Sequence, residues 1–212
     1  MKHKLVMSFA MVIIAIVAAV FVMVIHELTK AIAYAIYIKI YNKKYNKNEK
    51  CPGVWKIYNY VDPIGLILAA TSNGLFSKQY PFVIRSRKAS CLIGLTGYFS
   101  MIVTFGVAIL SYRVFFGHNI VFNDSQVAIY YIVKGIKYIL EFIAYFSTTM
   151  FLVNLFPLAT FDMSLVVASC SPIAYLKIRK FDLFFKLIFL IICLLGVFSM
   201  AGMYVASKCL GF

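Results

Sequence analysis

From Leu5 to Ile25 the chain carries no charged residue. Such a run matches the ~20 residues that a helix needs to cross the hydrocarbon core of a bilayer, where each backbone N–H and C=O must find its partner inside the segment. The apolar pattern does not stop at a cleavage-type site followed by a polar domain. It continues through Glu27 and Lys30 to about Ile40, so this segment is expected to be kept as a span and not removed as a signal peptide.

One span does not make a membrane protein of several passes; the rest of the 212 residues do. Hydrophobic residues make up 63% and charged residues 13%, far from the mix of a soluble domain. The fold class expected is an all-α polytopic membrane protein, residues 1–212 forming a single integral membrane domain. Its pieces are a helix over 5–40, a segment over 60–76, a helix over 89–116, a helix and following segment over 127–175, and a C-terminal span over 183–207.

The connections between these pieces are of two kinds. Residues 41–50, YNKKYNKNEK, and the Cys-Pro-Gly turn at 51–53 form an exposed basic loop. Lys78, Arg85, Arg87 and Lys88 form a second basic segment, and Lys177, Arg179 and Lys180 a third. In contrast, GHNIVFNDSQ at 117–126 has no Lys or Arg and is expected to face away from the cytoplasm. Residues Pro63 to Phe76, with Gly65 and Gly74, are too few for a comfortable crossing. Read as re-entrant, they let all the basic connections share the cytoplasmic side, with four spans and both termini outside; Lys2 and Lys4 run against that orientation.

The formal net charge of +14 therefore records topology and not nucleic-acid binding, because no basic, aromatic-interleaved domain is present. Lys134, Lys137 and Glu141 lie on one helical pattern, where Lys137 and Glu141 are four apart and can pair on one face. The five cysteines are scattered, with no CxxC pair, and read as small apolar residues.

Inside the first helix stands His26-Glu27-Leu28-Thr29-Lys30. An HExxH motif on a helix sets two imidazoles on one face to grip zinc, with the Glu placed to activate the metal-bound water. Here lysine occupies the place of the second histidine. A His-Glu pair alone can simply be a polar pair near a helix end, but ionisable groups within an apolar helix are functional candidates by default.

Three further stretches accompany it: YVDPIGLILAA at 60–70, GLTGYFSM at 94–101 and NLFPLATFDMS at 154–164. In order and approximate spacing, these four resemble the site-2 protease family of intramembrane zinc metalloproteases, over about residues 10 to 170. The resemblance implies a core of three helices bearing the His-Glu pair, Gly97, and Asn154, Pro157 and Asp162. It implies His26 and Asp162 as zinc ligands, Glu27 as general base and Asn154 as a further catalytic residue, with Asp62, Pro63 and Gly65 as supporting motif positions. Pro157 has its own physical reason to mark a site, since it frees backbone groups that a membrane tolerates only against protein or a watery cavity, although a simple kink would read the same.

The departures from the family pattern concern polar groups. Lys30 replaces a zinc ligand, Met163 the Gly after the Asp, Met101 an Asn, and Tyr60 a His. An ammonium has no lone pair to give, and His26 with Asp162 leaves two protein ligands where catalytic zinc sites have three. The economical expectation is that Lys30 takes the metal's place between Glu27 and Asp162; the alternative is a lysine that snorkels to the cytoplasmic surface.

The resemblance then implies an impaired or inactive homologue without cofactor, which binds a transmembrane segment or partner protein in a bacterial-type plasma membrane. Its rival is a working zinc protease that hydrolyses a membrane-embedded peptide bond, in substrates such as anti-sigma factors or peptide precursors. A small transporter or its accessory subunit is a third reading, weakened by the lack of an internal repeat.

Overall fold

A computed structural model describes residues 2–51, 53–71, 74–84, 86–116 and 127–211, with side chains described outside 2–8 and 127–129. The loop 117–126, with His118, and the side chain of His3 fall outside the described residues. All regular elements among the described residues are helical: α1 Lys2–Tyr45, a 3-10 turn Ile57–Asn59, α2 Pro63–Thr71, α3 Arg87–Phe116, α4 Val127–Asn154, α5 Asp162–Cys170, α6 Pro172–Lys180, α7 Asp182–Leu194 and α8 Val197–Leu210.

Within α1, α3 and α4, the segments Phe9–Tyr45, Arg87–Phe116 and Tyr130–Asn154 are long and apolar enough to cross a membrane. The three helices pack on one another around Ala18, Ala19, Val22 and Met23 of α1, Met101 and Ala108 of α3, and Ala144, Phe146 and Met150 of α4. Small residues dominate the α1 side of this core, which lets the helix backbones approach closely, as suits helices that have no hydrophobic drive to associate in lipid. Their outer faces show the complement: Phe21, Ile36, Phe99, Val107 and Leu110 are exposed large apolar side chains.

Two expected boundaries move. The first helix extends past Ile40 to Tyr45 because nothing in YNKK breaks it; it stops at Asn46, which takes φ 50°. The C-terminal span expected over 183–207 is divided: Gly196, at φ 71°, separates α7 from α8, and the two axes bend by 53°. Together α7 and α8 are long and apolar enough for one crossing; neither is so alone.

The nine residues of α2 rise only about 14 Å, against the ~30 Å of a bilayer core. The chain after it doubles back, since Lys78 N donates to Tyr60 O at 3.1 Å. Asp62 caps α2, its Oδ1 accepting from Ile64 N at 2.8 Å and Gly65 N at 3.2 Å, with Pro63 at the first helical position. Gly65 lets the returning segment at 76–80 pass close by: a Cβ there would lie 2.2 Å from Phe76 O and 2.9 Å from the Met23 Cε. The Asp-Pro-x-Gly stretch thus serves to cap α2 and fold the segment back on itself.

Candidate functional site

His26, Glu27 and Lys30 share one side of α1 because positions i, i+3 and i+4 neighbour one another on a helix. The fourth group arrives from a break. After Asn154 the chain leaves the helix through Leu155–Phe161, where Pro157 has no N–H to offer, and re-enters at Asp162, the first residue of α5. A continuous Asn-Pro-Asp helix does not form; Asp162 instead heads a separate short one.

Asn154 spans this break. Its Oδ1 accepts from Asp162 N at 3.4 Å, its Nδ2 donates to Met150 O at 2.9 Å, and its carbonyl accepts from the Tyr98 hydroxyl at 2.6 Å. It holds the backbone of Asp162 and makes no hydrogen bond to the side chains of the cluster among the described residues.

Lys30 Nζ lies 2.7 Å from Glu27 Oε1 and 2.7 Å from Asp162 Oδ1. None of His26, Glu27, Lys30 and Asp162 is more than 1% exposed. Lys30 therefore does not snorkel; its long stem turns inward, where two carboxylates would otherwise stand uncompensated in a dry interior.

Glu27 also accepts hydrogen bonds from the segment at 77–80. Ser77 Oγ donates to Oε1 at 2.7 Å and Tyr80 N donates to Oε2 at 3.0 Å, so both carboxylate oxygens act as acceptors. Tyr80 packs with Tyr34, Tyr60 and Phe82, and burial holds its phenol well above the ordinary range. Tyr60, at the place where the resemblance implies a His, belongs to this aromatic layer and sends its hydroxyl to Val54 O.

His26 is held from α3. Its Nδ1 is 3.3 Å from Ser100 Oγ, which itself donates to Gly97 O at 2.7 Å. Its Nε2 lies 3.0 Å from Asp162 Oδ2 and 3.7 Å from Glu27 Oε1. His26 Nε2 and Asp162 Oδ2 are buried against each other, and neither has a further hydrogen-bond partner among the described residues.

Gly97 makes this convergence sterically possible. A Cβ there would meet Asp162 Oδ2 at 2.1 Å and His26 Cε1 at 3.0 Å. The Asp162 carboxylate cannot swing aside without releasing Lys30, so Gly97→Ala is expected to cost about 1–3 kcal/mol of stability, read as a lower unfolding midpoint in detergent. An alanine variant as stable as the parent would mean that the cluster is looser than its distances.

The sites expected from sequence thus meet in one place for His26, Glu27, Lys30, Gly97 and Asp162, with Asn154 and Pro157 shaping the approach and Asp62, Pro63 and Gly65 folding the neighbouring segment. Ser77, Tyr80, Tyr98 and Ser100 were not anticipated. Ser100 had a readable signal: it follows Gly97 by three residues on the same helix face, whereas Met101, the next residue, turns into the apolar core.

The donor set does not fit a catalytic zinc. His26 Nε2 and Asp162 Oδ2 supply two ligand atoms, the Glu27 oxygens are engaged, and Lys30 has no lone pair to add. Among the described residues no three His, Cys, Asp or Glu side chains are grouped to hold a metal ion. Comparison with protein-family models, with curated proteins and with solved structures returns no match.

Proposed function

We propose that this chain is a site-2-protease-like, multi-pass membrane protein in which the Lys30 ammonium replaces the metal, leaving it catalytically impaired or inactive and serving to bind a transmembrane segment or partner protein in a bacterial-type plasma membrane. The observation that carries the reading is the pair of 2.7 Å contacts from buried Lys30 Nζ to Glu27 and Asp162. A general base needs an oxygen free to take a proton from water, whereas Glu27 Oε1 is held by Lys30 and Ser77 and Oε2 already accepts from Tyr80 N.

A place for a partner lies beside the cluster. A cavity of about 430 Å³, lined by Ile64, Phe76, Ser77, Phe161, Leu187 and Leu190 among others, opens between the returning segment and α7. Ser77 joins its wall to Glu27. An apolar lining with a few polar groups suits a hydrophobic segment.

Zinc per chain, measured by elemental analysis, tests the reading. The parent is expected to hold none. Lys30→His adds a third donor beside His26 Nε2 and Asp162 Oδ2, so it is expected to bring near-stoichiometric zinc, which Asp162→Ala then removes. Stoichiometric zinc in the parent, lost in Asp162→Ala, would overturn the proposal in favour of a working zinc protease.

A further inference from the structure

We propose that α6 is a docking surface for anionic phospholipid headgroups. The helix has nine residues and none is buried. Ala174, Tyr175 and Ile178 are half-buried, so one side of the helix packs on the protein while the other is left to its surroundings. Its start is well made, with Pro172 at the first position and Ser171 Oγ accepting from Ala174 N at 3.3 Å.

What the helix offers is mixed in a particular way. Ile173 and Leu176 are 70% and 61% exposed, and Phe181 follows them at 54%. Lys177, Arg179 and Lys180 are exposed alongside, and none makes an ion pair among the described residues. The nearest acidic residue in sequence, Asp182, is already taken by Lys186 at 2.6 Å and by Ala159 N at 3.1 Å. Apolar side chains beside uncompensated basic ones are the marks of a helix lying in the headgroup layer, with its long cationic side chains reaching phosphate.

The packing places α6 at one end of the helix bundle. α5 runs along α3 toward the α3 N-terminus: Asp162 meets Gly97, Leu165 and Val166 meet Gly94, and Ser90 Oγ donates to Leu165 O at 2.8 Å. Only Ser171 separates α5 from α6. α6 therefore emerges at the end of the bundle where Arg87 and Lys88 open α3. Lys43 and Lys44 close α1 at that same end, since α1 runs antiparallel to α3, with His26 against Ser100 and Ala31 packed with Ile93. Such clustered cations attract an anionic leaflet.

The full chain reconstituted in phosphatidylcholine bilayers, with a trace of spin-labelled phosphatidylglycerol or spin-labelled phosphatidylcholine, tests this by electron paramagnetic resonance. The parent is expected to restrict the anionic lipid about fivefold more than the zwitterionic one. K177Q/R179Q/K180Q should lose most of that preference, K177R/K180R should keep it, and K134Q/K208Q, at the opposite end, should leave it unchanged. Equal restriction of both lipids by the parent, or an undiminished preference in the triple glutamine variant, would overturn the proposal. So would an equal loss in K134Q/K208Q. Displacement of the anionic lipid by millimolar inorganic phosphate at constant ionic strength would show a free-phosphate site instead, and would likewise overturn it.

Discussion

Replacing Lys30 by alanine is expected to lower the unfolding free energy by roughly 3–5 kcal/mol, because removal of one member of a buried ion pair leaves its partners charged and unmatched. Two carboxylates are involved here, each 2.7 Å from the ammonium. The measurement is denaturation in detergent, with Lys186→Ala as the reference. The Lys186 bridge to Asp182 is equally short at 2.6 Å but its lysine is 46% exposed, and such pairs contribute at most about 1 kcal/mol. Alanine also leaves a void, so Lys30→Met is the companion variant: it fills the space and carries no charge. A methionine variant that loses about as much as the alanine one assigns the cost to charge. Parent-like stability of both would remove the ion-pair account altogether.

The long apolar runs made α1, α3 and α4 legible, because a bilayer sets the length of a crossing element and forbids loose backbone within it. The same logic did not reveal the bend within 183–207, where hydropathy is continuous but Gly196 admits a left-handed turn that no average over a window can register. Asp162 was legible as a partner of α1, yet its placement was not. Pro157 announces a break in α4, but a sequence does not say that the chain re-enters as a new helix with Asp162 at its head. The contacts to Glu27 were hidden for another reason. Tyr80 donates its backbone N–H, which every residue but proline owns, and Ser77 is one hydroxyl in an apolar stretch; only the folding back of the chain at Gly65 brings both to Glu27.

Neutralising the whole cluster is expected to undo the damage of losing Lys30. In Lys30→Met/Glu27→Gln/Asp162→Asn no buried charge remains unmatched; well-packed hydrophobic replacements of a buried ionic group range from no cost to a gain of about 1–4 kcal/mol, and amides, which keep polar atoms to satisfy, are expected at the no-cost end. The amide introduced by Glu27→Gln keeps a carbonyl oxygen for Ser77 or Tyr80, and Asp162→Asn leaves in place the backbone N–H that donates to Asn154. The triple variant should therefore unfold several kcal/mol later than Lys30→Ala and close to the parent. If it does, the cluster is dispensable for holding the helices together, and its charges need a reason in what the protein does. If instead it stays as unstable as Lys30→Ala, although methionine fills the space of the lysine stem, the attraction within the ionic cluster itself holds the helices together.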